Sequence, residues 1–135
     1  MSDNELEKIR QRIVERLMKL QSMPKEIINI KNEDDLNSLS KEFNDKIIVI
    51  DFWAVWCAPC KIYVPIFEKI QQEYYQDFIF GKINVDENPM VAQRFGISSI
   101  PTTLFIKGGQ FLRKLVGVMN YTTLKQILEK FRIET

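Results

Sequence analysis

Behind Ser2 and Glu5, which have the spacing of a capping box, Leu6, Ile9, Ile13, Leu17 and Leu20 recur at three- and four-residue steps. That period marks one face of an amphipathic helix over residues 3 to 21. The pattern breaks at Gln21-Ser22-Met23-Pro24, because proline disfavours helix in the residue before it, and a linker is placed there. From Glu26 onward short β-rich runs alternate with helical ones, the rhythm of an α/β domain. Glu26 to Ile30 reads as a strand. Asn32, with Asp35 three residues on, caps a helix through Phe43, and Lys46 to Trp53 is apolar enough for a central strand buried on both faces. A long helix then runs to about Gln76, followed by a strand from Phe78 to Val85 and a short helix from Pro89 to Phe95. Thr102 to Lys107 and Gln110 to Gly117 pair about Gly108-Gly109, a two-residue turn that tolerates positive φ. A last helix from about Tyr121 to Phe131 turns Leu124, Ile127, Leu128 and Phe131 inward. The expected organisation is an N-terminal helix and linker over 1 to 23 and one α/β domain over 24 to 135.

A chain of 135 residues buries one core without structural metals or disulfides. Its 45% apolar and 27% charged residues are those of a soluble globular protein. Net charge is +1, from 19 basic and 18 acidic side chains, so no basic face is available for phosphates and nucleic acid is not the expected partner. The longest apolar runs are strand-sized, and no membrane span is expected. Asp3, Glu5 and Glu7 leave no room for the apolar region of a secretory signal and do not suit a transit peptide, so a cytoplasmic location is expected.

Histidine is absent, which removes the commonest metal ligand and the commonest general base together. The chain's only two cysteines lie three positions apart in Trp56-Cys57-Ala58-Pro59-Cys60-Lys61, between a buried strand and a helix. At a helix start that spacing brings the two α-carbons within disulfide range, and the unsatisfied N–H groups with the helix dipole favour a thiolate on Cys57. Cys57 is therefore expected to be the exposed nucleophile, and Cys60, buried by the turn, the thiol that resolves the mixed disulfide. Half a zinc site has the same spacing, but zinc wants four ligands, and two thiols without histidine leave only a site shared between subunits. No metal and no cofactor beyond the redox-active disulfide are expected.

The cysteine segment resembles the active site of the thioredoxin family, and the resemblance extends over residues 26 to 131. Val49-Ile50-Asp51-Phe52-Trp53-Ala54 resembles the strand carrying the family's buried aspartate, here Asp51. Lys82-Ile83-Asn84-Val85-Asp86 is similar to the segment carrying the lysine near it, here Lys82, and Ser99-Ile100-Pro101-Thr102 resembles the loop with the family's cis-proline, here Pro101. Pro65 in the long helix and Gly117 before the last one also fall in matching positions. The resemblance implies a thioredoxin fold, a central mixed sheet flanked by helices, with the N-terminal helix added to it. It also implies a disulfide reductase acting on disulfide-containing proteins, with a flavin-dependent thioredoxin reductase as electron donor. Ala58 departs from the family's usual glycine, and no histidine lies between the cysteines, which favours a reductase over the oxidase- and isomerase-type relatives.

Asp51 sits in an apolar run, where burial raises a carboxyl pKa and poises it to exchange a proton with Cys60; the alternative is a strand-end aspartate in water. Lys82 biases that aspartate or is merely solvated. Pro101 either starts a strand in the trans form or, by the resemblance, is cis and bares the backbone at Ile100 for a strand-like substrate segment. Trp56, Ala58, Pro59, Val85, Ile100, Gly117 and Val118 are then expected to form an uncharged contact surface around Cys57. Two other functions stay open: an interaction module, and a reductant dedicated to one enzyme, either docked through the N-terminal helix. The stripe of that helix is unfavourable in water, so it is expected to fold back onto the domain, to pair with a second copy in a homodimer, or to bind a partner, the first two preferred.

Overall fold

Ile47 to Ile50 present no polar side, and the chain covers this strand from both faces. The computed structural model describes residues 2–21 and 23–134, the side chains of 18–21 excepted. The expected places of Leu20 in the stripe and Ser22 in the linker thus lie outside the described residues. In chain order the elements are α1 (Asp3–Gln21), β1 (Ile28–Asn29), α2 (Glu33–Glu42), β2 (Ile47–Trp53), α3 (Ala58–Tyr74), β3 (Phe78–Asn84), α4 (Pro89–Arg94), β4 (Thr102–Lys107), β5 (Gln110–Val116) and α5 (Tyr121–Glu134).

The strands form one mixed sheet in the order β1-β3-β2-β4-β5, parallel from β1 through β3 to β2 and antiparallel from β2 through β4 to β5. Strand β2 lies at the centre, and alternation along it divides the core. Ile48, Ile50 and Phe52 meet Leu36 and Leu39 of α2 and Val91 of α4. Ile47 and Val49 meet Tyr63, Phe67 and Ile70 of α3 and Leu124 and Leu128 of α5. Strand β1 is shorter than expected because it is an edge that pairs with β3 alone, through Ile28 and Asn29, with one further bond from the Ile30 N–H to the Lys82 carbonyl at 3.0 Å. The cap at α2 forms as expected: Asn32 accepts the Asp35 N–H at 2.8 Å. Gly108 and Gly109, at φ 56° and 77°, close the β4–β5 hairpin in the left-handed backbone conformation such turns require.

Helix α1 starts where expected, the Glu5 N–H donating to Ser2 Oγ at 3.2 Å. Its apolar stripe is not folded back, since Leu6, Ile9, Ile13 and Leu17 are all exposed. The reason lies in the domain: α2 and α4 already cover one face of the sheet and α3 and α5 the other. Met23 is buried in the core that faces α2, so the chain joins the domain one residue before Pro24.

Candidate functional site

Two elements meet at the cysteines: the C-terminal end of β2 and the N-terminus of α3. Cys57 is the N-cap of α3 in an extended conformation, Pro59 lies in the first turn, where a missing N–H costs nothing, and Cys60 follows one turn into the helix. The two sulfurs are joined in a disulfide, with α-carbons 5.3 Å apart. The Cys60 N–H, one of the free donors at a helix start, points to Cys57 Sγ at 3.2 Å. One expectation is corrected here. Cys57 is not exposed in the disulfide form: it is 4% accessible, against 2% for Cys60, because Val85 and Ile100 pack against the pair.

Of the expected contact residues, Val85 and Ile100 pack against this pair and Trp56, Ala58 and Pro59 adjoin it in the chain. Trp56 is 70% exposed, and its ring N–H donates to the Asp86 carboxylate at 2.8 Å, which fixes the indole beside Cys57. Asp86 is held in turn by a bend in which Asn84 Oδ1 accepts the N–H groups of Asp86 and Glu87. Ala58, Pro59 and Val118 are exposed, while Val85, Ile100 and Gly117 are half-buried. The Ile100–Pro101 peptide bond is cis, and the Ile100 carbonyl oxygen lies 3.7 Å from Cys57 Sγ. The Gly117 N–H donates to the Pro101 carbonyl at 2.8 Å, tying the start of the last loop to the proline. Trp56, Val85, Ile97 and Ile100 line a groove of about 370 Å³ at the surface.

Beneath the cysteines, on the side facing α3, Asp51 is 5% exposed. Burial pushes its carboxyl up to about 7, against a smaller opposing pull from the Lys82 ammonium. Lys82, exposed, is its register neighbour on β3, with Nζ 5.6 Å from the Trp53 ring centroid. A cavity of about 210 Å³ touches Asp51, Cys60, Lys61 and Lys82, so the carboxyl and the inner sulfur share one small space. Asp51 Oδ1 is buried without a hydrogen-bond partner. Among the described residues, no three acidic, histidine or cysteine side chains gather as a metal site would need.

Three polar side chains of the site went unread in the sequence. Asp86 lay within a matched segment but its partner Trp56 is 30 residues away. Tyr63 looks like one more residue of the buried face of α3, and Thr103 like a β-branched strand residue; their hydroxyls meet at 2.8 Å across 40 residues. An inward-facing tyrosine was the one available signal, since its hydroxyl requires a partner when buried.

The sequence profile described as Thioredoxin matches residues 26–130, nearly all of the chain beyond α1, and the chain belongs to the thioredoxin family. It is 46% identical over 87 residues to thioredoxin 1 of Nostoc sp., a match covering 64% of this chain and 81% of that protein. With thioredoxin-T of Drosophila melanogaster it shares 41% identity over 101 residues, 75% of this chain and 64% of that one. The solved structure of the reduced Schistosoma mansoni thioredoxin pre-protein superposes with a TM-score of 0.72 at 36% identity, covering 78% of this chain and 98% of that one. The protein is a thiol–disulfide oxidoreductase, and Cys57 and Cys60 are its redox pair.

Proposed function

We propose that this protein reduces disulfides in other proteins, with Cys57 attacking and Cys60 resolving. The observation that carries this division is the helix start: a Cys57 thiolate receives the Cys60 N–H and the positive end of the α3 dipole. Cys60 lies one turn inside, beside Asp51. In the first step the Cys57 thiolate bonds to one substrate sulfur, and the other leaves as a thiolate that takes a proton from water. In the second the Cys60 thiol gives its proton to Asp51 and bonds to Cys57 Sγ, and the second substrate sulfur departs. The products are a dithiol substrate and the Cys57–Cys60 disulfide, so atoms and electrons balance. With no histidine in the chain, Asp51 is the carboxyl placed to take that proton, and Lys82 favours its ionised form.

An extended substrate segment lies along the groove, its backbone bonding at Ile100 while Trp56, Ala58, Pro59, Val85, Pro101, Gly117 and Val118 supply uncharged contacts. Such a surface reads backbone and shape more than side chains and admits many partners. A thioredoxin reductase returns the electrons. A reducing compartment, the cytoplasm, suits this chemistry, because both cysteines serve exchange and neither is spent on a structural bond. Alkylation of the reduced protein just below neutral pH, followed by peptide mapping, labels Cys57 first on this reading. First labelling of Cys60 reverses the two roles.

The uncovered stripe of α1 takes a second copy of the chain, in an antiparallel pair. Asp3, Glu5 and Glu7 occupy the first part of this helix, and Lys8, Arg10, Arg12 and Arg16 follow, with Glu15 the one acid among them. An antiparallel pair sets acidic against basic stretches and holds the two domains at opposite ends, whereas a parallel pair aligns like charges. Sedimentation then gives a dimer for the full chain that dissociates on dilution. The chain from Met23 onward sediments as a monomer and reduces small disulfides at an unchanged rate. A full chain that stays monomeric at high concentration removes the second copy as occupant.

A further inference from the structure

Across three strands, Lys82, Asp51 and Thr103 stand in register, Asp51 being paired with Lys82 on β3 and with Thr103 on β4. All three point to the α3 side, since Asp51 follows Val49 by two residues, Lys82 follows Phe80 by two and Thr103 precedes Phe105 by two, and Val49, Phe80 and Phe105 belong to that core. Facing neighbours in such a row have β-carbons about 5 Å apart. Tyr63 reaches the row from above. It lies three residues after Cys60, on the same inward face of α3, and both it and Thr103 are fully buried.

The Tyr63–Thr103 pair holds one hydrogen more than its bond uses. Each hydroxyl carries one hydrogen, and the single bond between Tyr63 and Thr103 uses one of the two. The other hydrogen has no acceptor among the hydrogen bonds of the described residues, while the adjacent Asp51 Oδ1 is a buried acceptor without a donor. A buried donor and a buried acceptor left open on neighbouring positions are each costly, and a shift of the Asp51 carboxyl or the Thr103 side chain that brings the two oxygens into hydrogen-bond geometry satisfies both.

We infer that Tyr63 and Thr103 are a positioning pair for proton transfer, a two-hydroxyl relay that donates into Asp51 Oδ1 when the carboxyl ionises. In that state Tyr63 donates to Thr103, Thr103 to Asp51, and the ionised carboxylate is held ready for the Cys60 proton. When Asp51 takes the proton the relay turns away. The inference rests on Asp51 being the acceptor of that proton. The charged and titratable groups facing Asp51 are Lys82 from β3 and Cys60, Lys61 and Tyr63 from α3, with the neutral Thr103 from β4. Burial holds the Tyr63 phenol above its ordinary range, the bond to Thr103 opposes this, and the nearby negative charge of Asp51 adds to it.

Donation to an ionised carboxylate favours it, so loss of the relay moves the ionisation of Asp51 upward. The variant pairing Tyr63→Phe with Thr103→Val removes both hydroxyls, keeps their shapes and leaves neither orphaned. Resolution of the mixed disulfide is measured against pH, with the Asp51 carboxyl followed by carbon NMR in the same reduced protein. The midpoint rises by about one pH unit, which makes resolution about tenfold slower at pH values below it. Thr103→Ser, which keeps a hydroxyl, retains the original midpoint. A merely structural pair changes thermal stability and leaves both midpoints in place, and that result overturns the relay. Asp51→Asn separates the two levels: an unaltered pH profile in that variant removes the role of Asp51 itself, whereas an altered one beside an unshifted double variant removes the relay alone.

Discussion

Replacing Cys60 by serine converts the protein from a catalyst into a trap. With Cys57 intact, the first exchange proceeds and the substrate stays bound through an intermolecular disulfide, because no neighbouring thiol attacks it. Steady turnover falls to the rate at which external thiols release the complex. Non-reducing electrophoresis shows covalent complexes that a reductant dissolves. Replacing Cys57 gives no such complexes, since Cys60 lies one turn inside α3, behind the N-cap position that Cys57 occupies. Complexes formed by the chain lacking Cys57 but not by the chain lacking Cys60 contradict the division of labour.

Asp51→Asn has opposite effects on stability and on resolution. In strong acid the carboxyl is protonated in both folded and unfolded chains. Between its ordinary value of 3.8 and about 7 the unfolded chain ionises while the folded one keeps its proton, so stability falls as pH rises through that window. At about 1.4 kcal/mol per pH unit, the cost of holding Asp51 in the core reaches about 4 kcal/mol above pH 7. Asparagine escapes that cost apart from the burial of its amide, and the variant unfolds at higher temperature than the parent above pH 7, with the difference shrinking towards pH 4. Resolution slows by about 100-fold at pH 8, the scale of a lost general base, and no longer rises with pH through 7. Thermal unfolding across pH reads the first effect and quenched-flow release of substrate thiol the second. A difference in stability between Asp51→Asn and the parent that does not grow from pH 4 to above pH 7 contradicts the buried, raised carboxyl.

Local patterns made much of this molecule legible. The run Ile47–Ile50 has no polar alternation and could only be a doubly covered strand, and Asn32 and the Gly108-Gly109 pair mark a helix start and a hairpin by side-chain chemistry within a few residues. The cysteine pair was equally plain, because its meaning depends on spacing and on the strand and helix beside it. What escaped depends on distance in the chain. Strand β1 is cut short by having one neighbour only, which no local pattern encodes. The burial of Cys57 comes from Val85 and Ile100, residues 28 and 43 positions away. Tyr63 and Thr103 each look apolar-facing in their own element, and only the stacking of α3 on β4 turns them into a polar pair. The amphipathic stripe of α1 is legible in its sequence, but whether the domain has a free face for it depends on where the other four helices fall.

Thiol counting in a single turnover tests the central claim most directly. Fully reduced protein is mixed with excess insulin in the absence of any other reductant, quenched in acid and mapped for thiols and disulfides. Each molecule forms one Cys57–Cys60 disulfide as one insulin disulfide becomes two thiols, and the Cys57→Ser variant forms none. Insulin disulfides that survive unchanged, or an equal loss of them with Cys57→Ser, contradict exchange through this pair.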